Sequence, residues 1–291
     1  MTLIKNKYVF TGEIVLESAL HIGSGKVTHE TDAAILKTAN DEPYIPGSSL
    51  KGVLRTICER LYNVALKNPS FKDKDICFLG EEDCSNPSEE AKKLFKKYME
   101  DNSVQKMADW ISTYTCPACQ LYGSSLQASK VIVHDAYLTD ESKKVKKKTM
   151  VRHSVAIDRE TGTAEQGAKF DYEVANKDLV FNFKITAENL EKMDLKLLLL
   201  GLNEFEKGRI QLGGNISKGL GHVQLKNGEV EIFDFSTQDN QAKEAYLHFL
   251  LDAENNNLDN KDSNENKKID TISRGTNNRI TIRTLISKTF K

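Results

Sequence analysis

Two stretches of this chain combine a cation with backbone able to turn sharply, the residue chemistry of phosphate recognition. In YIPGSSLKGVLRTICERL, Tyr44 to Leu61, Pro46 and Gly47 end an extended segment, and Ser48 or Ser49 is placed to cap a helix through its hydroxyl. Leu50, Val53, Leu54, Ile57, Cys58 and Leu61 recur at helical spacing, which describes one buried face. Lys51 falls in the first turn and Arg55 one turn later. Cations there oppose the helix macrodipole, typically by about 0.3–1 kcal/mol. A phosphate held by free amides, the two serines and Lys51 removes the conflict; a capped surface helix whose lysine reaches water has the same sequence. In LGGNISKGLGHVQL, Leu212 to Leu225, Gly213, Gly214, Gly219 and Gly221 surround Lys218 between two strand-like runs, so backbone and charge can both approach a ligand. A hairpin or bulge has that composition too, and the G-x-x-x-x-G-K-[ST] order of a nucleotide-binding P-loop is absent.

A second chemistry is carried by cysteine. Cys77 and Cys84 form C-x6-C, and Cys116 and Cys119 form C-x2-C. The close pair supplies two thiolates from one tight knuckle, and the looser pair can complete a tetrahedral zinc site, although its gap exceeds the usual two to four residues. Four thiolates leave no open position for water, so such a zinc is structural. Four free thiols are the alternative. Cys58, on the apolar helical stripe, reads as core. HIGSG and YGSS add short anion-binding candidates in Gly23, Ser24 and Gly25 and in Gly123, Ser124 and Ser125, turns that are also common without a ligand.

Composition limits the partners. With 41 Lys and Arg against 42 Asp and Glu the net charge is −1, so no global basic footprint announces nucleic acid. Charge is segregated, however: Lys143, Lys144, Lys146, Lys147, Lys148 and Arg152 form a basic block, either a solvated loop or a phosphate contact. MTLIKNKYVF lacks the apolar centre of a signal peptide and LKLLLLGL is too short to span a bilayer. A cytoplasmic protein with no membrane partner is expected.

The elements that must position these residues read as an α+β domain over residues 1–235. YVFTGEIVLES and AAILK are extended, and a helix runs from about Ser48 to Lys67. A charge-rich helical insertion occupies about 68–120. KVIVHDAYL and VRHSVAID are strand-like, FDYEVAN and LVFNFKITA look like a later strand pair, and LKLLLLGLNEFEKG is a buried helix ended by Gly208. RIQLGG and GHVQLKNGEVEIF complete the sheet. VAIDRETGTAEQGAKFDYEVA reads as a long hairpin within about 140–175. Residues 236–291 form an extension in which AYLHFLLDA is a short helix, about 253–270 is a flexible asparagine-rich linker, and RITIRTLISKTF alternates like a strand.

Taken in order, HIGSG, TDAAIL, YIPGSSLKG, CPACQLYGSS, IDRETGTAEQGAKFDYE and LGGNISKGLGHVQL resemble the RAMP backbone subunits of type III CRISPR effector complexes, over about residues 6 to 226. The resemblance implies a modified RRM-like, ferredoxin-like core carrying a helical zinc-binding insertion and a β-hairpin thumb. It implies assembly with copies of itself or homologous backbone subunits, and with other effector subunits, along a guide crRNA, with the paired target RNA cleaved at regular intervals. Asp32 matches the aspartate that such subunits use for cleavage. An ordinary exposed carboxylate titrates near pH 3.9 and is a weak base at neutral pH, so binding Mg2+ or another divalent cation, or positioning substrate, is the expected role. The attacking group is expected to be the RNA 2′-hydroxyl. The thumb, with Thr163, Ala164, Gln166, Ala168 and Phe170 as its wedge, would flip out a base pair, and Arg152 and Arg159 are the expected arginine contacts. His134, His153, His222 and His248 form no metal or catalytic spacing. A non-catalytic guide-binding subunit, a guide-processing endoribonuclease and a zinc-stabilised protein-interaction domain are the competing functions.

Overall fold

Strand β1 (Asn6–Leu16) lies inside the main sheet, antiparallel to β5 (Val180–Glu188) on one side and to β7 (His222–Asp234) on the other. The computed structural model that shows this describes residues 4–29, 31–65, 76–77, 84, 87–235, 243–244, 246–247, 250 and 279–290. A short β2 (Val131–Val133) extends the sheet beyond β5, and β6 (Ile210–Gln211) and β8 (Arg279–Thr281) both pair with β7. The order β2-β5-β1-β7, with helix α1 (Gly47–Ala65) after β1 and helix α6 (Lys192–Glu206) after β5, is the βαββαβ arrangement of a ferredoxin-like domain.

The core is set by matching periods. Phe181, Phe183, Ile185 and Ala187 alternate along β5 and are buried, while Leu50, Leu54, Cys58 and Tyr62 recur every four residues on α1 and meet them. Helices α1 and α6 pack closely because Gly201 has no side chain: a Cβ there would stand 2.9 Å from Leu54 Cδ2. Cys58 sits in this contact, its thiol donating to Leu197 O at 3.1 Å and pushed up to about 12 by burial, so the expectation of a core cysteine holds.

Two insertions interrupt this plan. Between α1 and β2 lie α2 (Glu89–Glu100), α3 (Val104–Tyr114) and α4 (Pro117–Tyr122). Between β2 and β5 lie the short α5 (Asp140–Lys143) and a ribbon of β3 (Thr149–Ile157) and β4 (Ala164–Ala175). FDYEVAN therefore does not pair with LVFNFKITA as its sequence led one to expect. It is the returning arm of the hairpin, because β5 finds its partners in β1 and β2.

RITIRTLISKTF also departs from expectation. Only Arg279–Thr281 is extended, and Ile282–Thr289 forms helix α7. Thr281 Oγ1 accepts the Thr284 N–H at 3.1 Å, a helix cap, and Ile282 and Leu285, three residues apart, are buried together. Gly228 on β7 leaves room for Ile282, whose Cδ1 is 3.0 Å from where a Cβ would stand. The expected linker and most of AYLHFLLDA lie outside the described residues, although Tyr246 stands edge-on to Phe233 and Phe235. Among the described residues no helix is long and apolar enough to cross a membrane.

Candidate nucleic-acid interface and cysteine cluster

The glycine-rich segments converge. The Gly214 N–H donates to His21 O at 2.8 Å, which lays the 213–221 loop on HIGSG. Gly213 and Gly221 are demanded by close backbone approach, since a Cβ would stand 2.2 Å from His21 O and 2.0 Å from Leu212 O. All four of Gly25, Gly213, Gly219 and Gly221 have positive φ, but at Gly25 and Gly219 nothing lies within 4 Å of a Cβ. Their backbones are the open ones. The base of β4 joins the cluster, with His21 Nδ1 2.7 Å from Glu173 O, the His21 ring edge-on to Tyr172 at 5.8 Å, and the Lys218 ammonium 5.7 Å from the Tyr172 ring centre. Gly23, Gly25, Gly214, Lys218 and Gly219 are all exposed. Ser24 turns inward, donating to Ala34 O at 3.0 Å.

At α1 the geometry corrects the expected cap. The helix begins at Gly47, so Ser48 and Ser49 lie inside its first turn. The Ser49 and Leu50 N–H groups reach Pro46 O, and Gly47 N–H donates to Asp135 Oδ1 at 2.7 Å, placing a carboxylate at the helix end. Among the described residues only the Ser48 amide of this turn lacks a partner. Lys51 is half-buried without a carboxylate partner among the described residues, and burial, then the neighbouring Arg55 charge, lowers its ammonium below the usual lysine range. Arg55 is spent internally: Nε donates to Glu59 Oε1 at 2.7 Å, Nη1 to Gly123 O at 3.1 Å and Nη2 to Cys119 Sγ at 3.2 Å. It braces α1 against α4. Gly123 is buried at φ 86°, and Ser124 is bonded within its own turn, which leaves Ser125 as the exposed group of YGSS.

Asp32 is pinned by β4. Its N–H donates to Asp171 O at 3.0 Å, its Oδ2 accepts the Asp171 N–H at 2.9 Å, and Thr31 Oγ1 also donates to Asp171 O. Residues 31–33 thus run alongside β4 at the base of the ribbon, with the Asp32 carboxylate exposed. Along the ribbon, Arg159, Thr163 and Phe170 are exposed and Arg152 is half-buried; Phe170 stacks on Tyr172 at 6.2 Å. Asp158 Oδ1 shapes the tip by accepting the Thr161 amide and hydroxyl and the Glu160 amide, which hold its carboxyl below the usual range. In the basic block, Lys143 and Lys144 pair with Asp140 and Glu141, whereas Lys146 and Lys147 are exposed without an ion pair among the described residues.

The four cysteines do come together, with all sulfurs within 4.8 Å of one another. Cys77 Sγ is 3.6 Å from Cys116 Sγ and 3.5 Å from Cys119 Sγ. Tetrahedral zinc with bonds of about 2.3 Å requires sulfurs about 3.8 Å apart, so the cluster fits such an ion with little adjustment. Backbone amides serve the sulfurs as in a metal knuckle: Cys116 N–H to Cys84 Sγ at 3.1 Å and Cys119 N–H to Cys116 Sγ at 3.4 Å. Hydrogen bonds from Cys119 and Cys84 hold the Cys116 thiol low and push those two upward.

Residues 13–224 match the RAMP superfamily, and the chain belongs to that superfamily. Within it the chain is similar to the CRISPR system Cms endoribonuclease Csm3 of three organisms. The protein of Methanocaldococcus jannaschii is 26% identical over 236 residues, covering 77% of this chain and 80% of that protein. The Streptococcus thermophilus protein is 27% identical over 242 residues, 78% and 89%. The Methanothermobacter thermautotrophicus protein is 28% identical over 259 residues, 77% and 85%. Sequence reasoning missed His21, Asp135, His153, Asp171 and Tyr172 as members of this region. HIGSG contains His21 and IDRETGTAEQGAKFDYE contains Asp171 and Tyr172, whereas Asp135 and His153 fall in none of the motifs.

Proposed function

We propose that this chain is a backbone subunit of a type III CRISPR effector complex that binds crRNA and cleaves complementary target RNA. Membership of the RAMP superfamily and likeness to proteins named Csm3 endoribonucleases support the reading. The observation that carries the site is the pinning of Asp32 to β4, beside the face on which HIGSG, the 213–221 loop and Tyr172 meet. Guide phosphates lie against Ser48, Lys51, Ser125 and the open backbones of Gly25 and Gly219, while the ribbon acts as the thumb, Phe170 supplying an exposed aromatic face. Copies of the chain and other effector subunits offset the cost of unstacking by sharing backbone contacts along the guide.

Asp32 holds a divalent cation or the ribose at the scissile phosphate; a cation there stabilises charge that builds on the phosphate oxygens. The 2′-hydroxyl beside that phosphate is the nucleophile, which restricts the reaction to RNA. Cys77, Cys84, Cys116 and Cys119 hold a structural zinc that ties α4 to the segment preceding α2. The test is the assembled complex carrying Asp32→Ala or Asp32→Asn. Target cleavage should fall by at least about a hundredfold, with guide and target retention unchanged. Undiminished cleavage would make this a structural subunit, and processing of repeat RNA by the isolated chain would make it a guide-processing enzyme.

A further inference from the structure

The ribbon contains a carboxylate–imidazole pair that the proposed reaction does not yet use. His153 on β3 and Asp171 on β4 are cross-strand partners, and His153 Nδ1 lies 2.8 Å from Asp171 Oδ1. That oxygen is shut off from solvent and has no aligned hydrogen-bond donor, His153 Nδ1 being close to it but not in line. A buried carboxylate oxygen requires a partner, and Nδ1 at 2.8 Å is the nitrogen within reach, so a small rotation of the ring sets an Nδ1 proton on Oδ1 and leaves Nε2 outward. The His153 side chain is 65% exposed, and Nε2 has no hydrogen-bond partner among the described residues. Asp171 is also the residue whose backbone N–H holds Asp32 Oδ2 at 2.9 Å. One residue thus orients an open imidazole through its side chain and the Asp32 carboxylate through its main chain.

The surroundings leave Asp171 as the carboxylate that acts on this ring. The register sets Lys169 and Glu173 diagonal to His153. The Glu173 carboxylate is occupied elsewhere, by Lys37 Nζ at 2.7 Å and the Ile35 N–H at 3.3 Å. Asp32 lies across β4, on the far side of the Asp171 main chain.

Resting on the reading of Asp32 as the cleavage residue, we propose that His153 is the general acid of the reaction, protonating the departing 5′-oxygen. Attack by the 2′-oxygen forms the new O–P bond and breaks the P–O5′ bond. The Nε2 proton passes to O5′, and the 2′-hydroxyl proton passes to water, from which the imidazole is reprotonated. The products are a 2′,3′-cyclic phosphate and a 5′-hydroxyl, with atoms and charge conserved. Imidazole suits this work because histidine ordinarily changes charge between pH 5 and 8, whereas a lone carboxylate carries no proton to give at neutral pH.

The experiment compares ordinary target RNA with a target whose scissile 5′-oxygen is replaced by sulfur, using the assembled complex. A thiolate leaves without help, its conjugate acid being near that of a cysteine thiol at about 8.5. His153→Asn keeps a donor toward Asp171 but cannot deliver the proton, and His153→Ala removes both. Each should lower cleavage of ordinary RNA by about a hundredfold with unchanged RNA retention, and each should cut the sulfur substrate within a fewfold of the unsubstituted complex. Undiminished cleavage of ordinary RNA by His153→Asn overturns the proposal, and so does a loss that persists on the sulfur substrate. Asp32→Ala is read separately: failure of that variant to lose activity removes the reading of Asp32, while sulfur rescue still decides on His153.

Discussion

The main sheet and the β3–β4 ribbon use the same strand chemistry and end with opposite surfaces. In β5 every second residue from Phe181 to Ala187 is buried, whereas no residue of β3 is buried, and Met150, Val155 and Ile157 face solvent. A two-stranded ribbon is marginal on its own in water, so it is held at its base. There Tyr172 and Val174 pack with Ala19 and Leu220, and residues 31–33 run along β4. Stability therefore resides in the sheet and its two helices, solvent-facing apolar surface resides in the ribbon, and Asp32, His153 and Asp171 sit at the junction. The cysteine cluster braces the sheet side, because Arg55 carries its influence into α1.

This division can be broken at several points. The largest effect is expected at the cysteines: Cys116→Ser, or removal of the metal by a chelator, should lower stability by upwards of about 3 kcal/mol. Melting curves and a zinc content near one per chain check it, and full stability with no bound zinc would speak for four free thiols. Gly221→Ala should cost upwards of about 2 kcal/mol, because its Cβ would meet the Leu212 carbonyl, but Gly219→Ala only about 1 kcal/mol for its positive φ. Denaturant unfolding separates the two, and Gly219→Ala should show its effect in RNA affinity instead. On the ribbon, Phe170→Ala should slow target cleavage about tenfold, the value of one aromatic contact, without loss of guide RNA. Smallest is Lys51→Met, which should weaken binding uniformly across sequences and reduce the salt slope by about 1. An unchanged slope would place Lys51 away from phosphate.

Much of the scaffold was legible because it is written in local periods. The four-residue repeat from Leu50 to Cys58, the glycine that ends α6 and the alternation in β5 each fix an element from its own sequence. The C-x6-C and C-x2-C spacing gave the four cysteines as a set, and the structure clusters them; Asp32 came from the resemblance alone. What was not legible depends on register and long-range backbone approach. Nothing in the Ser48 region announces that Asp135, 88 residues away, would take the Gly47 amide and displace the serines from the cap. Lys51 and Arg55 look alike one turn apart, yet Arg55 is saturated by Glu59, Gly123 and Cys119, a set that exists only once α4 has docked. His153 has no motif at all, and only the pairing of β3 with β4 sets it against Asp171. The C-terminal strand was misread because Ile280, Ile282, Leu285 and Ile286 satisfy both periods at that length, and the Thr281 cap decides for a helix.

The central claim is that RNA runs over the face where the glycine loops meet the base of the ribbon. An experimental structure of the assembled complex, carrying Asp32→Asn with guide and uncleaved target RNA bound, tests it most directly. The account predicts guide phosphates within about 3 Å hydrogen-bonding distance of Ser48, Lys51 and the Gly219 backbone, with a target phosphate facing residue 32. Guide RNA lying instead along α2 and α3, with residue 32 facing solvent, would contradict it.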